Sequence, residues 1–237
     1  IGAFASLIGV GGAPLASIAM GEKNNEKAMK IIGNAFLMML FVSIAVVCAI
    51  YPFREKMLYL FGASVSTIPY ALAYFEIYLL GTPFALLAVG MNNFINCQGY
   101  AKIGMISVLI GAVTNIALDP IFMYVLNLSV AGAAIATVFS EFISMLLCMI
   151  QLMREEGILH LSWKDVKFDK DNLREIVEYG LPTGLQGSVI DIANVLIQSY
   201  INSFGAAAVA GIGAFSKIDG FVFLPVTSFS MALTTFV

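Results

Sequence analysis

The chain has 237 residues, 60% of them hydrophobic and only 11% charged, with a formal net charge of −3. Soluble domains carry roughly 45–50% apolar and about 25% charged residues, so a water-soluble globular protein is excluded. The weakly negative total says little about partners, because the distribution of charge across loops matters more than its sum, and nothing in the sequence suggests nucleic acid.

Apolar runs of about twenty residues recur along the sequence, each long enough to cross a hydrocarbon core of about 30 Å at 1.5 Å per residue. They are continuous, without the short alternating pattern of a membrane barrel, so the fold class is an all-α polytopic membrane protein. In chain order the spans fall at 2–20, 30–52, 68–95, 103–126, 130–153, 176–203 and 207–237, seven in all. The chain begins at Ile1 and runs out inside an apolar stretch, a pattern that reads as a piece of a longer protein. Lys23, Lys27 and Lys30 follow the first span, Lys102 the third, and Arg154, Lys164, Lys167, Lys170 and Arg174 the fifth. The positive-inside rule therefore places the loops near 21–29, 96–102 and 154–175 in the cytoplasm of a multi-pass plasma-membrane protein. The loops at 127–129 and 203–205 are short and uncharged, which makes their flanking helices antiparallel neighbours.

Within the third and later spans, Pro83, Pro120, Pro182 and Pro225 each remove a helix hydrogen bond, and bends are expected there. Residues 154–175 mix charge with Trp163 and Phe168, and Asp169 stands at a plausible helix start. This stretch is expected to form a cytoplasmic linker with an amphipathic segment between two units, 1–153 and 176–237. Trp163 reads as an interfacial anchor. Cys48, Cys97 and Cys148 lack paired spacing and read as packing residues. His160 has no companion set at metal spacing.

One residue stands out against this background. Asp119 lies deep in the apolar run 103–126, where a carboxylate costs roughly 2.5–3.5 kcal/mol, so it is expected to face a protein interior or a wet cavity. Asn115 is four residues earlier and projects from the same helical face. Counted from their outer helix ends at 1.5 Å per residue, Asp119 and Thr137 sit at one depth of about 10 Å. Pro120 frees the carbonyl of Ile116 as a further oxygen ligand. The competing reading makes Asp119 a permanently protonated acid that bonds a neighbouring helix. Glu76 either lines the same cavity or serves an interhelical role. Asp191 shares a polar stripe with Asn194 and Gln198, and Lys217 and Asp219 are expected to form a structural ion pair with Asp191 or Glu141.

The run Asn115-Ile-Ala-Leu-Asp119-Pro120-Ile-Phe, followed by Val130-Ala-Gly-Ala-Ala-Ile-Ala-Thr137-Val-Phe-Ser140-Glu141, resembles the multidrug and toxic compound extrusion (MATE) family of secondary transporters. Gly-Val-Gly-Gly at 9–12, Asn92-Asn93-Phe-Ile-Asn96-Cys-Gln98-Gly99 and Gly180-Leu-Pro182-Thr-Gly-Leu-Gln186 extend the resemblance along the chain. It implies half of a twelve-helix, two-lobe exporter: most of the first lobe over 1–153 and the start of the second over 176–237. It implies a monomer that exports small organic, often cationic, compounds against protons or sodium ions, with no cofactor. The family's first-lobe coupling site implies roles for Asn115, Asp119 and Thr137, with sodium as one candidate ion there, and for an Asn on the helix spanning 68–95, read as Asn93 with Asn92 as the alternative. The family's second-lobe Glu falls near Asp191, one position away, and Asn96 stands where many relatives carry Arg. A sister reading within the wider superfamily is a flippase for lipid-linked precursors or a polysaccharide exporter, which would call for a more cationic cavity. No enzyme motif accompanies these residues.

Overall fold

The computed structural model describes residues 2–65, 67–154, 161 and 166–236. His160, Trp163 and Lys164 lie outside the described residues. Regular structure among the described residues is helical throughout. The helices are α1 (Gly2–Gly21), α2 (Asn25–Ile50), α3 (Arg54–Leu60, after a tight turn at Tyr51–Phe53), α4 (Ile68–Leu80), α5 (Thr82–Cys97), α6 (Ala101–Pro120), α7 (Ser129–Arg154), α8 (Lys170–Asn202) and α9 (Ala206–Phe236).

Five stretches are long and apolar enough to cross a membrane, namely Gly2–Gly21, Asn25–Leu60, Ala101–Val125, Ser129–Arg154 and Ala208–Val226. The pair α4 and α5 makes a sixth span, bent by 53°. The protein is thus an integral membrane protein. Seven spans were expected; α8 has the length, but its Glu178, Asp191, Asn194 and Gln198 dilute its apolar character below that of the others.

The sequence predicted one span over 68–95 with a bend at Pro83, and the structure bends it just before that proline, at Gly81. Pro83 falls in the first turn of α5, where a missing N–H costs nothing, so it starts a helix rather than kinking one. Val138 of α7 presses against Gly81, where no side chain would fit. Pro120 closes α6 ahead of a wide π-type turn at Ile121–Val125. Pro182 and Pro225, by contrast, sit inside continuous helices.

The core gathers where α1, α2, α5 and α7 meet, with Ile8, Ile31, Met39, Met91, Phe94 and Leu152 buried together. Helix α6 packs on the outside of this group and leaves Met105, Leu109 and Val113 exposed, a face suited to lipid. Cys148 is buried in the core, Cys97 half-buried and Cys48 exposed, and all three are free thiols.

Helix α8 reaches back onto α1. A Cβ at Gly11 would lie 2.6 Å from the Gly180 Cα, so the two backbones touch and small residues are required at the crossing. The segment expected as a separate amphipathic piece, Asp169 to Glu178, forms the first turns of α8, with Asp169 capping the helix by accepting from the Asp171 N–H at 3.1 Å. The Asp169 N–H donates to Asn34 Oδ1 at 2.8 Å, and Lys27 Nζ pairs with Glu175 Oε2 at 3.0 Å, so α8 is tied at its start to α2.

Candidate functional site: a polar cluster between α6 and α7

Helices α6 and α7 run antiparallel across the hairpin at 127–128. Asn127 and Ser129 take left-handed backbone angles (φ 52° and 51°), and the Leu128 N–H donates to the Phe122 carbonyl at 3.1 Å. Gly132 lets the turn after Pro120 lie against α7, since a Cβ there would meet the Phe122 carbonyl carbon at 2.7 Å. The hairpin therefore fixes which residues of the two helices face each other.

Three of the expected residues come together. Asn115 Nδ2 donates to Asp119 Oδ1 and to Thr137 Oγ1, each at 3.4 Å. Thr137 Oγ1 donates its own proton to the Ala133 carbonyl at 2.9 Å, which leaves its lone pairs turned toward Asn115. All three side chains are half-buried. The two bonds made by Asn115 lie at the long end of hydrogen-bond geometry. The carboxylate of Asp119, the hydroxyl of Thr137 and the amide oxygen of Asn115 are hard oxygen donors of the kind that hold a proton or a small cation. Among the described residues no group of three or more His, Cys, Asp or Glu side chains converges, so a transition-metal centre has no ligand set there.

Below this cluster a cavity of about 310 Å³ opens between α5, α6 and α7. Asn115 and Thr137 form its upper wall, and Ala85, Ala88, Val108, Ser140, Glu141 and Ser144 line much of the rest. Asp119 borders the cavity through Asn115 rather than lining it.

The other expected residues are placed elsewhere. Asn93 donates to the carbonyl of Val89 in its own helix at 3.1 Å and lies against Gly9 of α1. Asn92, the alternative, faces α6 and α7: its Nδ2 donates to the Gly104 carbonyl at 2.9 Å and to Ser107 Oγ at 3.2 Å. Neither asparagine bonds to the cluster or lines the cavity. Glu76 pairs with Arg54 of α3, whose guanidinium also lies over the Tyr51 ring. Of its two expected roles, the interhelical one is therefore the one the coordinates display. Asp191 is exposed on α8 near Gly2. Lys217 and Asp219 form no ion pair with Asp191 or Glu141 among the described residues, which corrects that expectation; α9 touches only α8 to any extent and stands away from α7.

The sequence reading gave Glu141 only the end of the second motif and a candidate ion pair with Lys217, and no place in the site. The structure makes it a wall of the cavity, with Tyr78 of α4 within hydrogen-bonding reach. The signal was its i, i+4 spacing to Thr137, but only the packing of α4 on α7 reveals its partner.

A family model described as MatE matches residues 1–121. The chain is 29% identical over 211 residues to the multidrug export protein MepA of Staphylococcus haemolyticus, covering 89% of this chain and 47% of that protein. It is 26% identical to MepA of Staphylococcus aureus, covering 88% and 46%. Its backbone matches the inward-facing structure of a multidrug resistance MATE family transporter of the MOP superfamily with a TM-score of 0.86 at 24% identity, over 94% of this chain and 51% of that one. The chain spans about half the length of the curated relatives it matches.

Proposed function

We propose a function from one premise: the chain belongs to the MatE family. In this reading it supplies most of the first lobe, residues 1–153, and the opening helices of the second, from residue 176, of a monomeric secondary multidrug exporter in the plasma membrane. Residues 154–175 join the lobes on the cytoplasmic side. The relatives named multidrug export protein support the export of varied small organic compounds.

The observation that carries the reading is the convergence of Asp119, Asn115 and Thr137 on one another between α6 and α7. Asp119 accepts from the neutral amide of Asn115, which carries no charge to neutralise the carboxylate, so the carboxylate is left to a proton or a sodium ion. Asn115 orients Asp119, and Thr137 adds an oxygen from the facing helix. The carbonyl of Ile116, left without a donor by Pro120, completes the set. Binding an ion here draws α6 and α7 together, and releasing it lets the hairpin relax, which is how one site biases a two-state cavity. Asn93, Asp191 and Glu76 have weaker claims, since none of them reaches the cluster.

The test is efflux of a cationic dye by the intact transporter in proteoliposomes under an imposed proton gradient, an imposed sodium gradient, or neither. Acceleration by one of the gradients supports coupling and names the ion. Efflux at the same rate in all three conditions would remove the coupling role of this site.

A further inference from the structure

Glu141 has a feature that the coupling site does not use. Its Oε2 atom is buried and has no hydrogen-bond partner. It lines the cavity between α5, α6 and α7, one helical turn from Thr137. Its neighbours on α7 are already committed: Ser140 Oγ donates to the Thr137 carbonyl at 2.8 Å and Ser144 Oγ donates to the Ser107 carbonyl at 3.1 Å. Their protons point away from Glu141. Tyr78 of α4 lies beside it, and no ion pair among the described residues involves Glu141.

A carboxylate in this setting repels anions and gains from a cation brought in from outside, since a buried charge costs more unpaired than paired. The shape of the cavity decides which cation. Ala85, Ala88, Val89 and Val108 give it apolar walls, and about 310 Å³ lies at the small end of the usual 300–1,000 Å³ range of small-molecule sites. Apolar walls with one carboxylate, beside the neutral side chains of Asn115, Thr137, Ser140 and Ser144, fit an organic body bearing a single positive charge. A bare inorganic ion would need several more oxygens turned toward it.

We propose that Glu141 sets the preference of this transporter for positively charged substrates, by holding the cationic group of an organic compound seated in the α5–α6–α7 cavity, while Asp119 serves the coupling ion. The proposal rests on the export reading above and names the residue that gives that reading its charge preference.

Tetraphenylphosphonium affinity, measured by equilibrium dialysis on the intact transporter in detergent, tests it with Glu141→Gln and Glu141→Asp. Glu141→Gln should weaken binding about tenfold or more, whereas Glu141→Asp, which keeps the charge, should stay within about threefold of the unaltered protein. Unchanged affinity in Glu141→Gln, or equal weakening in Gln and Asp variants, overturns the role. Should Glu141→Gln not fold, the unaltered protein still decides: saturating tetraphenylphosphonium should protect Glu141 from labelling by dicyclohexylcarbodiimide, read by peptide mass spectrometry, and undiminished labelling overturns it. If the unaltered transporter binds and exports no organic cation at all, the export reading fails as well; if it does both and only the Glu141 results are negative, the inference alone fails.

Discussion

Asn92 and Asn115 are two polar side chains that reach between helices in the same part of the bundle, and they are treated differently. Asn92 donates to the Gly104 carbonyl at 2.9 Å and to Ser107 Oγ at 3.2 Å, and its own oxygen accepts from Asn96 Nδ2 at 2.9 Å. Cys148 of α7 also lies 3.8 Å from Asn92 Nδ2, so three helices are joined at one amide. Asn115 makes only two bonds, both 3.4 Å long, and borders a cavity. A saturated amide holds helices together, because breaking it leaves buried polar groups without partners. A loosely satisfied one can change partners at little cost, which is what a site that binds and releases an ion requires.

The same contrast separates the start of α8 from the cavity. Asn34, almost fully buried, donates to the Lys30 carbonyl at 2.9 Å and accepts from the Asp169 N–H, and Asn172 donates to Asp169 Oδ2 at 2.9 Å. Polar groups there fasten α8 to α2. In the cavity, Glu141 Oε2 is left without a partner. The start of α8 and the cavity thus show different degrees of hydrogen-bond saturation.

Substitutions can break this distinction. The largest effect on transport is expected for Asn115→Leu, which removes the orienting amide from Asp119 and Thr137. Gradient-driven dye efflux should fall about tenfold or more, while thermal stability in detergent changes by less than about 1 kcal/mol, because the bonds lost are long. Asn92→Ala should behave the opposite way. It should destabilise the protein by about 1–2 kcal/mol, seen as a lower unfolding midpoint, while efflux per folded molecule is largely kept. Equal losses of efflux in the two variants would mean that saturation does not separate structural from functional asparagines. The smallest effect is expected for Lys27→Ala. Its ion pair with Glu175 is more than a third exposed on both sides, so removal should cost under about 0.5 kcal/mol and leave efflux intact.

Much of the site could be read from the sequence because its parts are local. Asn115 and Asp119 are one turn apart on one helix, and Thr137 lies across a hairpin short enough to fix its depth. The helical class and the membrane setting follow from runs of apolar residues. What escaped depends on packing at a distance. Asn92 and Asn93 are adjacent and point about 100° apart on a helix, so which one faces α6 depends on the rotation of α5, and that follows the break at Gly81. Glu76 finds Arg54 only because the short helix α3 folds back beside α4. Glu141 meets Tyr78 only through the packing of α4 on α7, elements separated in the chain by α5 and α6.

The most direct measurement of the central claim is gradient-driven efflux of a cationic dye by Asp119→Asn in proteoliposomes, alongside the unaltered transporter. The variant is close in size and retains a hydrogen-bonding group toward Asn115, so it should fold and still bind dye. The account predicts that it no longer responds to the proton or sodium gradient that drives the unaltered protein. A gradient response of undiminished size would contradict the account, and Asp119 would then be a buried acid that only braces α6 against α7.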